Sequence, residues 1–264
     1  MNLCNNAGMD TIVLLQKNVG ETPLECLERF RASKIVEGHT EFVGLSMTYA
    51  GRLDPVASGS MLVLLGEECK NKEKYLNLEK EYDVEILFGI ETDTQDVLGL
   101  ITRVNVDVVS AKNIMDIDLQ KYVGKFTQKY PAYSSKTVDG KQLHTHAREG
   151  TLPRDDEMPS RDVEIYSINE MNRRTLTGAE IAADAIERIE KVTGDFRQKE
   201  IIKSWKKFGF NEKNSYTANY FQLLKIRVTC SSGTYMRLLA QCIGEDAGTG
   251  AIAFSICRTK IGNF

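Results

Sequence analysis

A chain of 264 residues with 42% hydrophobic side chains, 20 glycines and only 5 prolines has the apolar content of a packed globular protein, which excludes disordered and collagen-like classes. Its formal net charge of −3 argues against binding nucleic acid through bulk charge, because phosphate-tracking domains are as a rule basic overall. No apolar run approaches the roughly 18 residues of a membrane helix, and residues 1–10 lack a basic segment followed by a long apolar core, so a cytoplasmic protein of one large domain is expected. The cysteines Cys4, Cys26, Cys69, Cys230, Cys242 and Cys257 form no C-x-x-C pair. Reduced, mostly buried thiols are expected rather than a zinc site or a disulfide framework.

In chain order, residues 11–15 form a short β-branched and apolar run ending in a polar, glycine-containing turn, which predicts a strand. Residues 22–32 predict a helix, with Thr22 as cap, Pro23 in the first turn and Leu24, Leu27 and Phe30 on one side. A loop with Gly51-Arg52-Leu53-Asp54-Pro55 leads into a buried strand over residues 61–65. Residues 80–89 alternate through Tyr82, Val84, Ile86 and Phe88, as a strand with one buried face does. A weaker strand is expected over 103–109 and a helix over 114–123. The clearest helix is 177–192, where Ile181, Ala185, Ile189 and Val192 share a face. Late strands at 223–230 and 254–256 flank a helix at 235–243. No repeat or low-complexity tract is present, and strands and helices mix without regular alternation, which predicts an α+β fold.

Charge is unevenly distributed. Between residues 121 and 154 lie Lys121, Lys125, Lys129, Lys136, Lys141, Arg148 and Arg154 against Asp139 and Glu149. A second basic stretch, 197–213, interleaves Trp205, Phe208 and Phe210. Both fit either a basic face on an acidic protein or a solvated surface.

Five separated segments carry a more specific signal. They are Lys17-Asn18-Val19-Gly20-Glu21-Thr22; Tyr49-Ala50-Gly51-Arg52-Leu53-Asp54-Pro55-Val56-Ala57-Ser58-Gly59; Lys80-Glu81-Tyr82 with Thr92-Asp93-Thr94-Gln95-Asp96 and Gly99; Tyr130-Pro131-Ala132-Tyr133-Ser134-Ser135-Lys136 with Gly140-Lys141 and Ala147-Arg148-Glu149-Gly150; and Cys230-Ser231-Ser232-Gly233-Thr234-Tyr235-Met236-Arg237 with Arg258-Thr259-Lys260-Ile261-Gly262-Asn263-Phe264. Each is weak alone. Together, in order, they resemble the TruB family of tRNA pseudouridine synthases over nearly the whole chain.

The resemblance implies a pseudouridine synthase fold, with a mixed, largely antiparallel central sheet flanked by helices and loops. It implies isomerisation of uridine in a stem-loop, foremost uridine 55 of the tRNA T loop. The alternatives are another rRNA or mRNA stem-loop, or a catalytically silent RNA-folding chaperone. Asp54 would be the catalytic carboxylate, Arg237 its partner and Tyr82 the ring stacked on the base. Tyr235 and Ile256 would contact or support the uracil, and Tyr49 would pack into the RNA loop. Lys136, Lys141 and Arg148 fall in an RNA-gripping insertion at about 130–165. Gly51 and Gly59 would permit close backbone approach. Because the reaction changes no oxidation state and adds no group, no metal or organic cofactor is expected, and His144 and His146 read as surface residues.

The chain departs from the family pattern at three positions. Asn18 replaces a proline, Tyr49 replaces a histidine, and Arg52 replaces a small residue. An extra helical segment at about 178–213 is longer than the family needs. Residues 1–264 are expected to be a single catalytic domain without the family's C-terminal PUA domain, hence a monomer that needs neither guide RNA nor partner protein.

Overall fold

A computed structural model describes residues 11–106, 112–210 and 216–264. Cys4, Lys213 and the last three residues of the strand expected over 103–109 lie outside them. The elements in chain order are β1 (Ile12–Lys17), α1 (Pro23–Val36), β2 (Met47–Ala50), β3 (Ser58–Leu65), α2 (Glu73–Leu76), β4 (Lys80–Phe88), β5 (Ile90–Thr92), β6 (Ile101–Val104), α3 (Lys112–Met115), β7 (Gly124–Lys129), β8 (Thr137–Val138), β9 (Lys141–Gln142), α4 (Leu143–Glu149), β10 (Ser160–Thr177), α5 (Gly178–Glu190), α6 (Gln198–Phe210), β11 (Tyr220–Cys230), α7 (Met236–Asp246) and β12 (Ala251–Ile261).

Eight strands form one sheet in the order β1-β3-β12-β4-β11-β10-β7, with β2 also paired to β3. Only β3 and β12 run parallel, through Cys257 opposite Ser58 and Arg258 opposite Gly59. The fold is therefore α+β around a mixed, largely antiparallel sheet. Strand alternation divides its two faces. Val84, Ile86 and Phe88 of β4 and Leu224, Ile226 and Val228 of β11 pack with α7, while Leu87, Leu223, Ile252 and Phe254 pack under α5 and α6 on the other side. Tyr82 continues the α7 face to the end of β4. Near β1 to β3, Met61, Val63 and Leu65 meet α1.

Helix α1 begins with a reciprocal capping box between Thr22 and Glu25. Its buried side is Pro23, Cys26 and Leu27 with Phe30, and Leu24 is 61% exposed, which corrects the expected face. The helix expected over 114–123 is instead α3 followed by a 3-10 turn at Leu119–Tyr122. Asp118 caps that turn by accepting from Gln120 N–H, a local bond that competes with a continuing helix. Helix α5 starts on a second capping box, Thr177 with Glu180, and buries Ile181, Ala185, Ile189 and Val192 as expected. Among the described residues no helix is long and apolar enough to cross a membrane.

Candidate active site

The loop between β2 and β3 carries Asp54, and buried cations hold that loop by its backbone. Lys17 Nζ, at the end of β1, donates to the carbonyls of Asn18 (2.9 Å), Pro55 (3.1 Å) and Ala57 (2.6 Å). Burial pulls its ammonium down to about 8, although Glu21 and Asp54 oppose the shift. From the opposite side, Arg258 on β12 donates to the carbonyls of Ser60 (2.7 Å), Arg52 (3.3 Å) and Gly51 (3.2 Å). Gly59 has φ +104, and a Cβ there would collide with the Arg258 backbone, so the parallel pairing requires glycine. The carboxylate thus projects from a loop with little freedom.

Arg237, in the first turn of α7, meets Asp54 with Nε 2.9 Å from Oδ2. The guanidinium is buried, its side chain 4% exposed, whereas Asp54 is 39% exposed to the cleft. Its other nitrogens donate to Thr94 O (2.9 Å) and Tyr133 O (3.3 Å). The Nε–H is not aimed along the Asp54 contact, so the pair is an ion pair rather than a linear hydrogen bond. A second carboxylate, Asp96, lies 3.7 Å from the same Nε. Burial lifts Asp96 to about 6 against the pull of Arg237, and the charge on Asp54 adds to the rise. Thr94 Oγ1 and the Leu98 N–H donate to Asp96 Oδ1 at 2.7 and 2.9 Å.

Around this cluster opens a cavity of about 590 Å³, lined among others by Asp54, Tyr82, Tyr235, Arg237 and Ile256. Burial pushes the phenols of Tyr82 and Tyr235 up, so both stay neutral rings with a hydroxyl to share. Tyr235 caps α7 and is held by Gln128 of β7, which accepts from its N–H (2.9 Å) and donates to its carbonyl (3.3 Å). A bulge in β12 between Ala253 and Ser255 restores Ile256 to the cavity face, opposite Val84.

Asp54, Arg237, Tyr82, Tyr235 and Ile256 therefore converge, and Arg148 joins them at the cavity wall. Tyr49 does not line the cavity. Its ring packs with the α1 cluster, under Lys72 Nζ at 5.3 Å. Lys136 lies over the Tyr130 ring at 5.3 Å, and Lys141 pairs with Glu149 at 2.8 Å. Both sit on the arm between β7 and β10 rather than in the cavity. His144 and His146 are engaged within that arm, by Ser134 O, Thr151 Oγ1 and Val138 O. Among the described residues no group of three or more His, Cys, Asp or Glu converges.

Lys17, Asp96 and Arg258 were not singled out by sequence reasoning, although all three stand inside the family-like segments. Asp195, Phe196 and Arg197, between α5 and α6, also line the cavity; Arg197 carried only a charge signal, and Asp195 and Phe196 were not singled out. Arg52 is exposed at the cavity mouth with no carboxylate partner among the described residues.

Residues 45–184 match the TruB family pseudouridylate synthase (N terminal domain). The chain is 31% identical over 263 residues to tRNA pseudouridine synthase B of Listeria monocytogenes, covering 97% of this chain and 67% of that protein. It is 28% identical over 252 residues to tRNA pseudouridine synthase B of Borrelia garinii, covering 96% and 70%. Among solved structures, a chain from a Cbf5-Nop10-Gar1 complex is similar with a TM-score of 0.48 and 17% identity, covering 95% of this chain and 48% of that one, so this chain spans about half of its length. On the family match and the Listeria relative, the chain belongs to the TruB family of pseudouridylate synthases.

Proposed function

We propose that this enzyme isomerises uridine to pseudouridine in an RNA stem-loop, namely uridine 55 in the T loop of tRNA. It does so in the cytoplasm, as a monomer without guide RNA, partner protein, metal or organic cofactor. The observation that carries the reading is the half-exposed Asp54 carboxylate paired at 2.9 Å with a buried Arg237, in a cavity walled by Tyr82, Tyr235 and Ile256. Isomerisation breaks the C1′–N1 bond, turns the uracil and rejoins it through C5, with the C5 proton lost and N1 taking up a proton, so that product and substrate have the same atoms. Electrons balance without a redox partner, so positioned charge and proton transfer suffice.

In this reading Asp54 acts at the sugar, as a nucleophile at C1′ or as a base, and both roles require it ionised and aimed. Arg237 aims it, through the ion pair at 2.9 Å. Tyr82 stacks on the flipped base, and its neutral hydroxyl lies near the path of the C5 proton. Tyr235 and Ile256 close the sides of the uracil pocket. The target base must leave its stack at a cost of a few kcal/mol, which ring stacking and phosphate contacts offset. Lys136, Lys141 and Arg148 supply phosphate contacts from the arm, and Tyr49 lies outside this grip.

The test is tritium release from C5-labelled uridine in a T-arm hairpin. Wild type is expected to release tritium in proportion to pseudouridine formed, and Asp54→Asn to release none while still binding the hairpin. Absence of turnover by wild type, or substantial turnover by D54N, would overturn the assignment. Pseudouridine mapping of total RNA from cells with and without the gene then identifies the position modified, and a missing site in rRNA or mRNA instead of tRNA would replace the T-loop target.

A further inference from the structure

We infer that helix α6 is a second RNA-binding surface, which holds backbone phosphates of the same RNA whose uridine enters the cavity. This rests on the RNA-modifying activity proposed above and adds a contact that the catalytic cavity does not supply. The first observation is continuity. The connection from α5 to α6 places Asp195, Phe196 and Arg197 in the cavity wall. Arg197 Nη1 pairs with Asp93 at 2.7 Å, its guanidinium lies 4.5 Å from the Tyr133 ring centre, and Asp195 pairs with Arg148 at 2.6 Å. Helix α6 thus begins at the rim of the site, tied to both the sheet side and the arm.

The second observation is the pattern of charge on α6. Ile201, Trp205 and Phe208 are buried, and Trp205 Nε1 donates to Val97 O at 3.0 Å, which fixes the rotation of the helix. That rotation leaves Lys199, Lys203, Lys206 and Lys207 exposed along one stripe, spaced i, i+4, i+7 and i+8 and about 12 Å long at 1.5 Å per residue. None of the four has an ion pair among the described residues. On the other long surface helices, α1 and α5, Arg31 pairs with Glu28, Lys34 with Glu37, Arg188 with Asp184 and Lys191 with Glu187. Helix α6 differs from α1 and α5 in leaving a run of four such cations open.

The third observation is polarity. The neighbouring helix α5 exposes Glu180, Glu187 and Glu190, so the hairpin is acidic on one helix and basic on the other. A polyanion approaching the cavity is repelled by α5 and accepted by α6. The occupant that fits is therefore the stem of the substrate RNA, whose loop lies in the cavity.

The experiment compares wild type, the triple variant Lys203→Gln, Lys206→Gln, Lys207→Gln, and a charge-matched control, Lys34→Gln, Lys70→Gln, Lys191→Gln, whose lysines are all paired on the surface. Binding and single-turnover conversion of a T-arm hairpin are measured at several salt concentrations. The α6 triple is expected to flatten the log–log salt slope of Kd by about 2.7, at about 0.9 per duplex phosphate contact, and to weaken binding at low salt about tenfold or more. The control is expected to do neither. An unchanged slope in the α6 triple, or equal flattening in both triples, overturns the inference. Failure of wild type to convert the hairpin would instead strike at the activity itself.

Discussion

Arg237 is buried and holds four partners at once, donating to Thr94 O and Tyr133 O and facing the carboxylates of Asp54 and Asp96. A lysine keeps the charge but presents one ammonium, which cannot reach acceptors arranged around a planar fork. Arg237→Lys is therefore expected to lower the single-turnover rate by about 1.4 kcal/mol or more, tenfold at least, while hairpin affinity changes little. Equal rates would reduce Arg237 to a structural role. Asp96 adds a pH dependence. Its carboxyl is raised to about 6 from 3.8, so the stability it contributes is complete below about pH 4 and is lost as pH rises through 6. Asp96→Asn cannot ionise, so its Tm relative to wild type should climb between pH 4 and pH 7. An inflection near pH 6 in the kcat/KM profile of wild type should also be missing from D96N. A constant Tm difference would mean that Asp96 titrates normally. Asp54 and Arg237 could be named from the sequence only through the family resemblance, because nothing in composition or spacing brings residues so far apart in the chain together. Asp96 was invisible as a partner for the same reason: its role depends on burial and on Arg237, which only the fold supplies.

Elements with a strong local pattern were legible and those shaped by tertiary contacts were not. Strand β4 and helix α5 appear within a residue or two of their expected limits, since each has one clean apolar periodicity. Strand β12 runs over Ala251–Ile261, yet only 254–256 was expected, because its two bulges break the alternation. The expected helical segment at 178–213 is two helices, interrupted at residues 191–197, where Arg197 takes φ +62 and turns the chain back along the cavity. The loop that carries Asp54 is a third case, because beyond its own Ala57 N–H to Asp54 O turn it is held by the distant Gly20, Lys17 and Arg258. Replacing Lys17 by methionine relieves the burial of an ammonium but takes from the Ala57 carbonyl its donor, while the Asn18 and Pro55 carbonyls keep the N–H groups of Glu21 and Gly20. One orphaned buried acceptor costs about 1–3 kcal/mol, so Lys17→Met should destabilise the fold by about 1 kcal/mol. The loosened loop should lower kcat more than it raises KM. Denaturant midpoints and single-turnover rates check this, and an unaltered rate in a folded K17M would show that the loop is held without Lys17.

At the scale of the whole molecule, a net charge of −3 hides a segregation that decides how RNA can be held. Much of the basic stretch at 121–154 is already neutralised: Lys121, Lys129, Lys141, Arg148 and Arg154 pair with Asp246, Asp155, Glu149, Asp195 and Glu157. Exposed pairs of this kind are worth only about 0–1 kcal/mol, so a phosphate can displace the carboxylate of Asp195 from Arg148 at little cost. Among the described residues, cations without an ion pair include Arg52 by the cavity mouth, Lys125 and Lys136 on β7 and the arm, and the α6 lysines, and repulsion from acidic surface elsewhere favours approach of RNA from that side. A footprint made of the cavity, the arm and α6 spans one stem-loop, with each released counterion contributing about 0.7 to the log–log salt slope for single-stranded contacts and 0.9 for duplex ones. An isolated T-arm hairpin should then be converted with a kcat/KM within about tenfold of whole tRNA, and both values should fall steeply and in parallel as salt rises, because the same phosphates are gripped in both substrates. Measuring kcat/KM for the two substrates across a salt series decides the matter. A whole-tRNA preference of a hundredfold, equivalent to about 2.7 kcal/mol, or a steeper salt slope for tRNA than for the hairpin, would mean that contacts beyond the T arm carry recognition.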